Sequence, residues 1–304
     1  MLENSPFALG NQNAYLSWRA DKLANYPICL EEIVVPIANP HQLSVDEKQA
    51  LADKLRRCNM AIYRVTDQTV DIADKAVLAN IGRQFGLNNL DNNLHADEDA
   101  ISSLCISDAG SRKAYIPYTN KPIAWHTDGY YNTGEQQIRA MLLHCVRPAE
   151  DGGENQLIDH EIVYMMLRDR DPKFVKTLSE PDVMGIPENI ENGVKIRDAV
   201  TGPVFSTDSQ GNLHMRYTAR TRSIFWKDSA EVSAARNALE DILKSPSYYH
   251  FKGKLQAGEG LICNNVLHTR TMFNADSQRL LFRGRYFDRI QLPPATPRPE
   301  PAYD

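Results

Sequence analysis

The residues with the types and spacing to do chemistry meet first in Ile123-Ala124-Trp125-His126-Thr127-Asp128-Gly129-Tyr130-Tyr131. An imidazole and a carboxylate, His126 and Asp128, stand two residues apart. In an extended strand, side chains at i and i+2 point to the same face, so both can reach one ion. Two ligands do not close a site, and the third is expected from His268 in Asn264-Asn265-Val266-Leu267-His268-Thr269-Arg270. Two histidines and one carboxylate on one face of a metal, with open positions opposite, suit a non-haem Fe(II) centre. In a random chain His-x-Asp is more often a pair of surface polar residues. Here Trp125, Tyr130 and Tyr131 flank it, and matching features follow downstream.

After His268 the chain enters Arg279-Leu280-Leu281-Phe282-Arg283-Gly284-Arg285-Tyr286-Phe287-Asp288. Read as a strand, it puts Arg279, Leu281, Arg283 and Arg285 on one face. Arginines in such a row ordinarily mark a solvated edge, but the interleaved Leu280, Phe282, Tyr286 and Phe287 also need cover. A guanidinium beside a metal is suited to bidentate capture of a carboxylate. It would anchor an oxo-acid cosubstrate whose other end chelates the ion. Arg283 lies about 13 Å beyond Arg279 at strand rise, too far to grip the same small carboxylate. A buried guanidinium needs a partner, so Arg283 should meet an anionic substrate group or a protein acid such as Asp288 or Glu154. Tyr130 and Tyr131 are equally compatible with substrate contact and with ordinary packing.

These side chains must be positioned by a mainly β framework. Ser44-Val45-Asp46-Glu47 is a capping box that opens a helix with Leu51, Ala52 and Leu55 inward. Met60–Val65 reads as a buried strand. A second helix is expected over 71–85 with Ile72, Ala76, Ala79 and Ile81 inward, ended by Gly86. Strands are expected at 101–106 and 138–146, a turn at Gly152-Gly153, and a helix over 160–168. A hairpin should join 204–206 to 214–217, and an amphipathic helix should run from Ser229 to Leu243. Helices collected around strands and turns argue for a mostly β fold with flanking helices, a double-stranded β-helix or jelly roll. Residues 1–304 are read as one domain, with an irregular N-terminal extension (about 1–43) and a loose Pro-rich tail (about 292–304).

Composition bounds the function. The formal charge of −5 is mildly acidic and basic residues are scattered, which argues against nucleic acid as a partner. No apolar run is long enough for a membrane span, and the first residues lack a signal-peptide pattern. Five cysteines, odd in number and widely spaced, read as reduced residues of a cytoplasmic protein. A small-molecule substrate is the expected partner, and a homo-oligomer is compatible with the sequence. His41, His95, His144, His160, His214 and His250 have no mates at ligand spacing and read as surface or core residues. Arg216, Arg220 and Arg222 read as a solvated face.

The combination of His126-Thr127-Asp128, the Gly152-Gly153 turn, and His268 with Arg279 eleven residues further on resembles the Fe(II)- and 2-oxoglutarate-dependent oxygenases of the taurine dioxygenase (TauD/TfdA) superfamily. The wording around His268, with Asn265, Leu267, Arg270, Arg283, Tyr286 and Asp288, is most similar to its γ-butyrobetaine hydroxylase-like branch. The resemblance covers roughly residues 60–288. It implies a double-stranded β-helix, iron held by His126, Asp128 and His268, and the distal carboxylate of 2-oxoglutarate on Arg279. It also implies O2 as cosubstrate, with succinate and carbon dioxide as products. Where the family often carries Thr or Ser near this turn, Asn155 stands here as the cosubstrate contact. Asp128 fills the position that related halogenases leave to chloride, so the resemblance implies hydroxylation, desaturation or oxidative cleavage, with hydroxylation foremost, of a small polar, carboxylate- or amine-bearing metabolite. A zinc-type metallohydrolase with the same ligands, or a non-catalytic metal-bearing barrel, are the alternatives. The hydrolase leaves Arg279 without a task, and the intact triad together with Arg279 argues against the barrel.

Overall fold

A computed structural model describes residues 5–92, 96–107, 111–191 and 193–294. Its framework is two sheets. The larger has six strands in the order Val34–Ile37, Met60–Val65, Glu259–Cys263, Ala140–Arg147, Leu280–Tyr286, Ser102–Leu104. The smaller has four, in the order Phe251–Gly253, Asn155–Ile158, Leu267–Arg270, Ile123–His126. All pairings within them are antiparallel except that of the first two strands.

The near-continuous apolar wording of the large sheet has a direct cause. Met60, Ile62, Met141, Leu143, Leu261 and Leu281 belong to one core, together with Leu157 and Leu267 of the small sheet. Ala61, Tyr63, Leu142, Ile262 and Phe282 alternate with them and belong to a second core under the helices. Both faces are covered, so neither register of the strand can be polar.

The helices that cover the outer face follow local rules. Ser44 accepts from the Glu47 amide and Glu47 reaches back, closing the expected capping box of Val45–Cys58. The next helix is shorter than expected, Ala76–Gln84, with Val77, Leu78 and Ile81 buried. Asp71 and Asp74 accept hydrogen bonds from the amides of Ala73 and Ala76, so their own Asx turns hold the chain outside the helix. Ser229 caps Ala230–Lys244 by accepting from the Val232 amide. The hairpin pairs Phe205–Thr207 with Leu213–Met215.

The N-terminal stretch expected to be irregular contains a helix, Gln12–Ala24, capped by Asn11. It buries only Tyr15 and Lys22, too few residues to show a helical period. Its attachments are polar as well as apolar: the Lys22 ammonium sits 2.6 Å from Asp159 and 2.5 Å from Glu161, and the Tyr15 hydroxyl donates to Asp169 at 2.6 Å. No helix among the described residues is long and apolar enough to cross a membrane. His95 and residues 295–304 of the expected tail lie outside the described residues.

Candidate metal centre

The Ile123–His126 strand lies beside Leu267–Arg270 with His126 directly opposite His268. Their rings are 4.2 Å apart between centroids. Asp128 lies two residues past the strand end, where the chain turns at Gly129 (φ +66°). A Cβ on Gly129 would stand 2.3 Å from Ile138, so the turn requires glycine. One nitrogen from each ring and a carboxylate oxygen of Asp128 come within 4.8 Å of one another. The three residues expected to cluster do so.

Hydrogen bonds orient each donor. His126 Nδ1 lies 2.9 Å from the Ala124 carbonyl and 3.1 Å from that of His268. His268 Nδ1 lies 3.0 Å from the Val266 carbonyl. A carbonyl only accepts, so both rings carry the proton on Nδ1 and have Nε2 left for an ion. Asp128 Oδ1 accepts from Arg283 Nη1 at 3.2 Å, while Oδ2 is buried without a hydrogen-bond partner. A buried carboxylate oxygen with no donor is costly, and a cation in the cluster would satisfy it.

The electrostatics agree. Burial, reinforced by neighbouring His268, pushes His126 down to about 3, and burial likewise lowers His268. Burial alone would raise Asp128, but Arg283 and Arg285 outweigh it and hold the carboxyl well below its usual range. At neutral pH the site therefore offers two neutral imidazoles and one carboxylate. This donor set fits a divalent transition metal with positions to spare.

Asn265 holds the carboxylate's backbone in place. It is fully buried, and its side chain accepts from the Asp128 amide at 2.8 Å. It also donates to the carbonyls of Asp128 and Ile138 at 2.9 and 2.6 Å. Its φ of +49° is a left-handed conformation that Asn tolerates better than most residues. Spacing alone gave no sign of this role, because the partners lie 137 and 127 residues away.

Arg279 is buried, 5% exposed, with its guanidinium 5.1 Å from the centre of the Phe273 ring. Arg270, two residues beyond His268, approaches the same ring at 5.0 Å. The Gly152-Gly153 turn lies beside it: a Cβ on Gly152 would stand 2.0 Å from the Met272 carbonyl, which excludes one there, while one on Gly153 (φ +73°) would only touch Arg279 Nε at 3.7 Å. Arg270 spends its guanidinium on four backbone carbonyls. Arg279 has no acidic partner among the described residues, and burial pushes it down to about 10. A charge so placed calls for an anion.

The other arginines divide differently from expectation. Arg285 is held by the Tyr131 hydroxyl at 2.7 Å and by Asp91. Arg283 meets Asp128, whereas Asp288 and Glu154 are engaged with the Asn88–Asn89 amides and with Thr271. Arg216 does not lie on a solvated face. It is 5% exposed and donates to the carbonyls of Tyr130, Met184, Val200 and Gly202. Arg220 and Arg222 are exposed as expected. Tyr130 packs its ring 6.4 Å from that of His126, 5.2 Å from that of Tyr131, and accepts from Arg220 at 2.9 Å. Asn155 donates to the Thr269 carbonyl at 2.7 Å and lines a cavity of about 230 Å³ with Leu143, Leu157 and Leu261.

Comparison with known proteins extends these observations. The model of the family described as taurine catabolism dioxygenase TauD, TfdA family matches residues 21–285. A uridine-5′-phosphate dioxygenase of a Streptomyces species is 30% identical over 207 residues, which is 66% of this chain and 74% of that protein. Its namesake from an Amycolatopsis species is 30% identical over 170 residues, or 53% of this chain, and the chain spans only 60% of that relative's length. Among solved structures, the non-haem iron oxygenase OrfP in complex with Fe and α-ketoglutaric acid superposes with a TM-score of 0.57 at 14% identity, covering 81% of each chain. That likeness is one of fold.

Proposed function

The chain belongs to the taurine catabolism dioxygenase TauD/TfdA family, and we propose that His126, Asp128 and His268 hold the iron of this Fe(II)- and 2-oxoglutarate-dependent oxygenase. Bound there, iron supplies the redox chemistry that couples 2-oxoglutarate and O2 to oxidation of a substrate, most simply hydroxylation. Arg279 takes the distal carboxylate of 2-oxoglutarate as a charge-assisted pair. Asn155 has one amide N–H beyond the one given to Thr269, and we assign that N–H to the same cosubstrate. Tyr130, Tyr131 and the guanidinium of Arg283 line the substrate side.

One observation carries the reading: Asp128 Oδ2, buried and unpartnered, stands in a cluster with two imidazoles whose Nδ1 atoms are already bound. The lone buried charge of Arg279 supports it, since a hydrolase would leave that guanidinium without an anion. We take the substrate to be a small polar metabolite bearing an anionic group. Arg220, exposed and donating to the Tyr130 hydroxyl, supports this, as do two relatives named for a phosphorylated nucleoside. The facing antiparallel sheets are consistent with a double-stranded β-helix built as one domain. The wording around His268 keeps the γ-butyrobetaine hydroxylase-like branch within the proposal. Five free cysteines suit a reducing compartment, and we place the enzyme in the cytoplasm.

The test is succinate release from 2-oxoglutarate with Fe(II) across a panel of carboxylate- and phosphate-bearing metabolites. At least one should stimulate release severalfold, and a chelator should abolish it. Equal release from the Asp128→Ala variant would overturn the ligand assignment.

A further inference from the structure

We propose that Arg283 is a positioning residue for Asp128: it occupies Oδ1, so that the carboxylate presents Oδ2 alone to the ion. The proposal rests on the assignment of His126, Asp128 and His268 as metal ligands and deepens it. The two side chains are 10% and 5% exposed, and Arg283 Nη1 stands 3.2 Å from Oδ1. Oδ2 has no hydrogen-bond partner.

The surroundings leave the carboxylate little other guidance. Asn265 fixes the Asp128 backbone at both its amide and its carbonyl. Rotation about the last side-chain bond remains, and that torsion is broad and two-fold in aspartate. Arg283 is well placed to restrain it. Its backbone lies inside the large sheet, opposite Leu143 on one side and Ser102 on the other, so the base of the side chain is rigid. Neither neighbouring arginine can substitute, because Arg285 is taken by Tyr131 and Asp91 and Arg279 lies against Phe273.

Coordination arithmetic gives this restraint a purpose. On an octahedral ion, two imidazoles and one carboxylate oxygen leave three positions. An oxo-acid chelating through two of them would leave one. If Asp128 presented both oxygens, the chelate would fill the ion completely. Holding Oδ1 on a guanidinium keeps the last position available. A ligand's hydrogen-bonding partner commonly matters in this way, orienting the ligand and tuning the metal.

The test uses the full chain loaded anaerobically with Co(II), whose visible d–d absorption reports coordination number. Wild type, Arg283→Leu, Arg283→Lys and Asp128→Ala are compared with and without 2-oxoglutarate. Arg283→Leu is expected to weaken and shift the band and to lose the further change on adding 2-oxoglutarate. Arg283→Lys, which restores a cation, should return the band towards wild type. Should the leucine variant fail to fold, Arg283→Met, which likewise lacks a donor for Oδ1, carries the same expectation. A wild-type band and 2-oxoglutarate response without the guanidinium would overturn the proposal, even if substrate binding fell. A wild-type band in Asp128→Ala would instead overturn the ligand assignment beneath it.

Discussion

Each donor of the metal cluster has a second contact that settles how it is presented. Carbonyls hold the protons of His126 and His268 on Nδ1, and Asn265 pins the Asp128 backbone. Substituting any of the three donors by alanine should abolish turnover with the fold intact, as read by circular dichroism and succinate release. Asn265→Ala should act differently. It orphans buried backbone groups at Asp128 and Ile138, at about 1–3 kcal/mol each, so both melting temperature and metal affinity should fall. Unchanged melting would remove Asn265 from this role. Arg279→Ala should raise the 2-oxoglutarate requirement while metal binding persists. Losing a buried charge pair costs about 2–5 kcal/mol, or roughly 30-fold to several thousand-fold in affinity. Because burial pushes His126 down to about 3, metal loading should show no imidazole step near pH 6.5; a step there would contradict the site's burial.

At the scale of elements, what the sequence made legible was local. The capping box at Ser44, the His-x-Asp pair and the Gly152-Gly153 turn each depend on residues a few positions apart, and each was read directly, although Asp128 is carried by the turn after the strand rather than by the strand itself. What was missed depends on distant partners. The burial of Arg216 needs four carbonyls from three other segments, and the partner of Arg283 lies 155 residues away. The Gln12–Ala24 helix escaped because only Tyr15 and Lys22 along it are buried, and its attachments, Lys22 to Asp159 and Glu161 and Tyr15 and Arg19 to Asp169, lie far away in sequence. That dependence makes Lys22 testable: Lys22→Met leaves Asp159, which is fully buried, without its cation. Breaking such a pair costs about 3–5 kcal/mol, so the midpoint of urea unfolding should drop markedly; an unaltered midpoint would show that the helix is anchored otherwise. Gly152→Ala should disturb the 271–273 segment through the Met272 carbonyl. The expected result is a raised 2-oxoglutarate requirement with unchanged metal binding.

For the molecule as a whole, two cores share the large sheet, while the metal donors come from the small one: His268 from an inner strand, His126 from an edge strand, and Asp128 from the turn that follows it. Acid should loosen this framework in two windows. Burial and neighbouring His160 push His214 down to about 3. The unfolded chain therefore binds that proton first, and stability falls as pH drops from about 6.5 towards 3. Burial would raise Glu161, but Lys22 outweighs it and lowers it to about 2. Its contribution is present above its unfolded pKa near 4.5 and is lost as pH falls through 2. Lys22 itself is raised by Asp159 and Glu161 against the effect of burial, so its contribution holds through neutral pH and fades only in strong alkali. Melting temperatures between pH 8 and 3 check the acid side, where a flat profile would be inconsistent with these buried groups. The central claim, that one cluster of two histidines and an aspartate holds iron beside an arginine that receives 2-oxoglutarate, is tested most directly by anaerobic titration of the Fe(II)-loaded protein with 2-oxoglutarate. Wild type is expected to show the weak visible charge-transfer band of the chelate, Arg279→Ala the same band at higher 2-oxoglutarate, and Asp128→Ala no band. Absence of the band in wild type at saturating 2-oxoglutarate, or its persistence in Asp128→Ala, would contradict that claim.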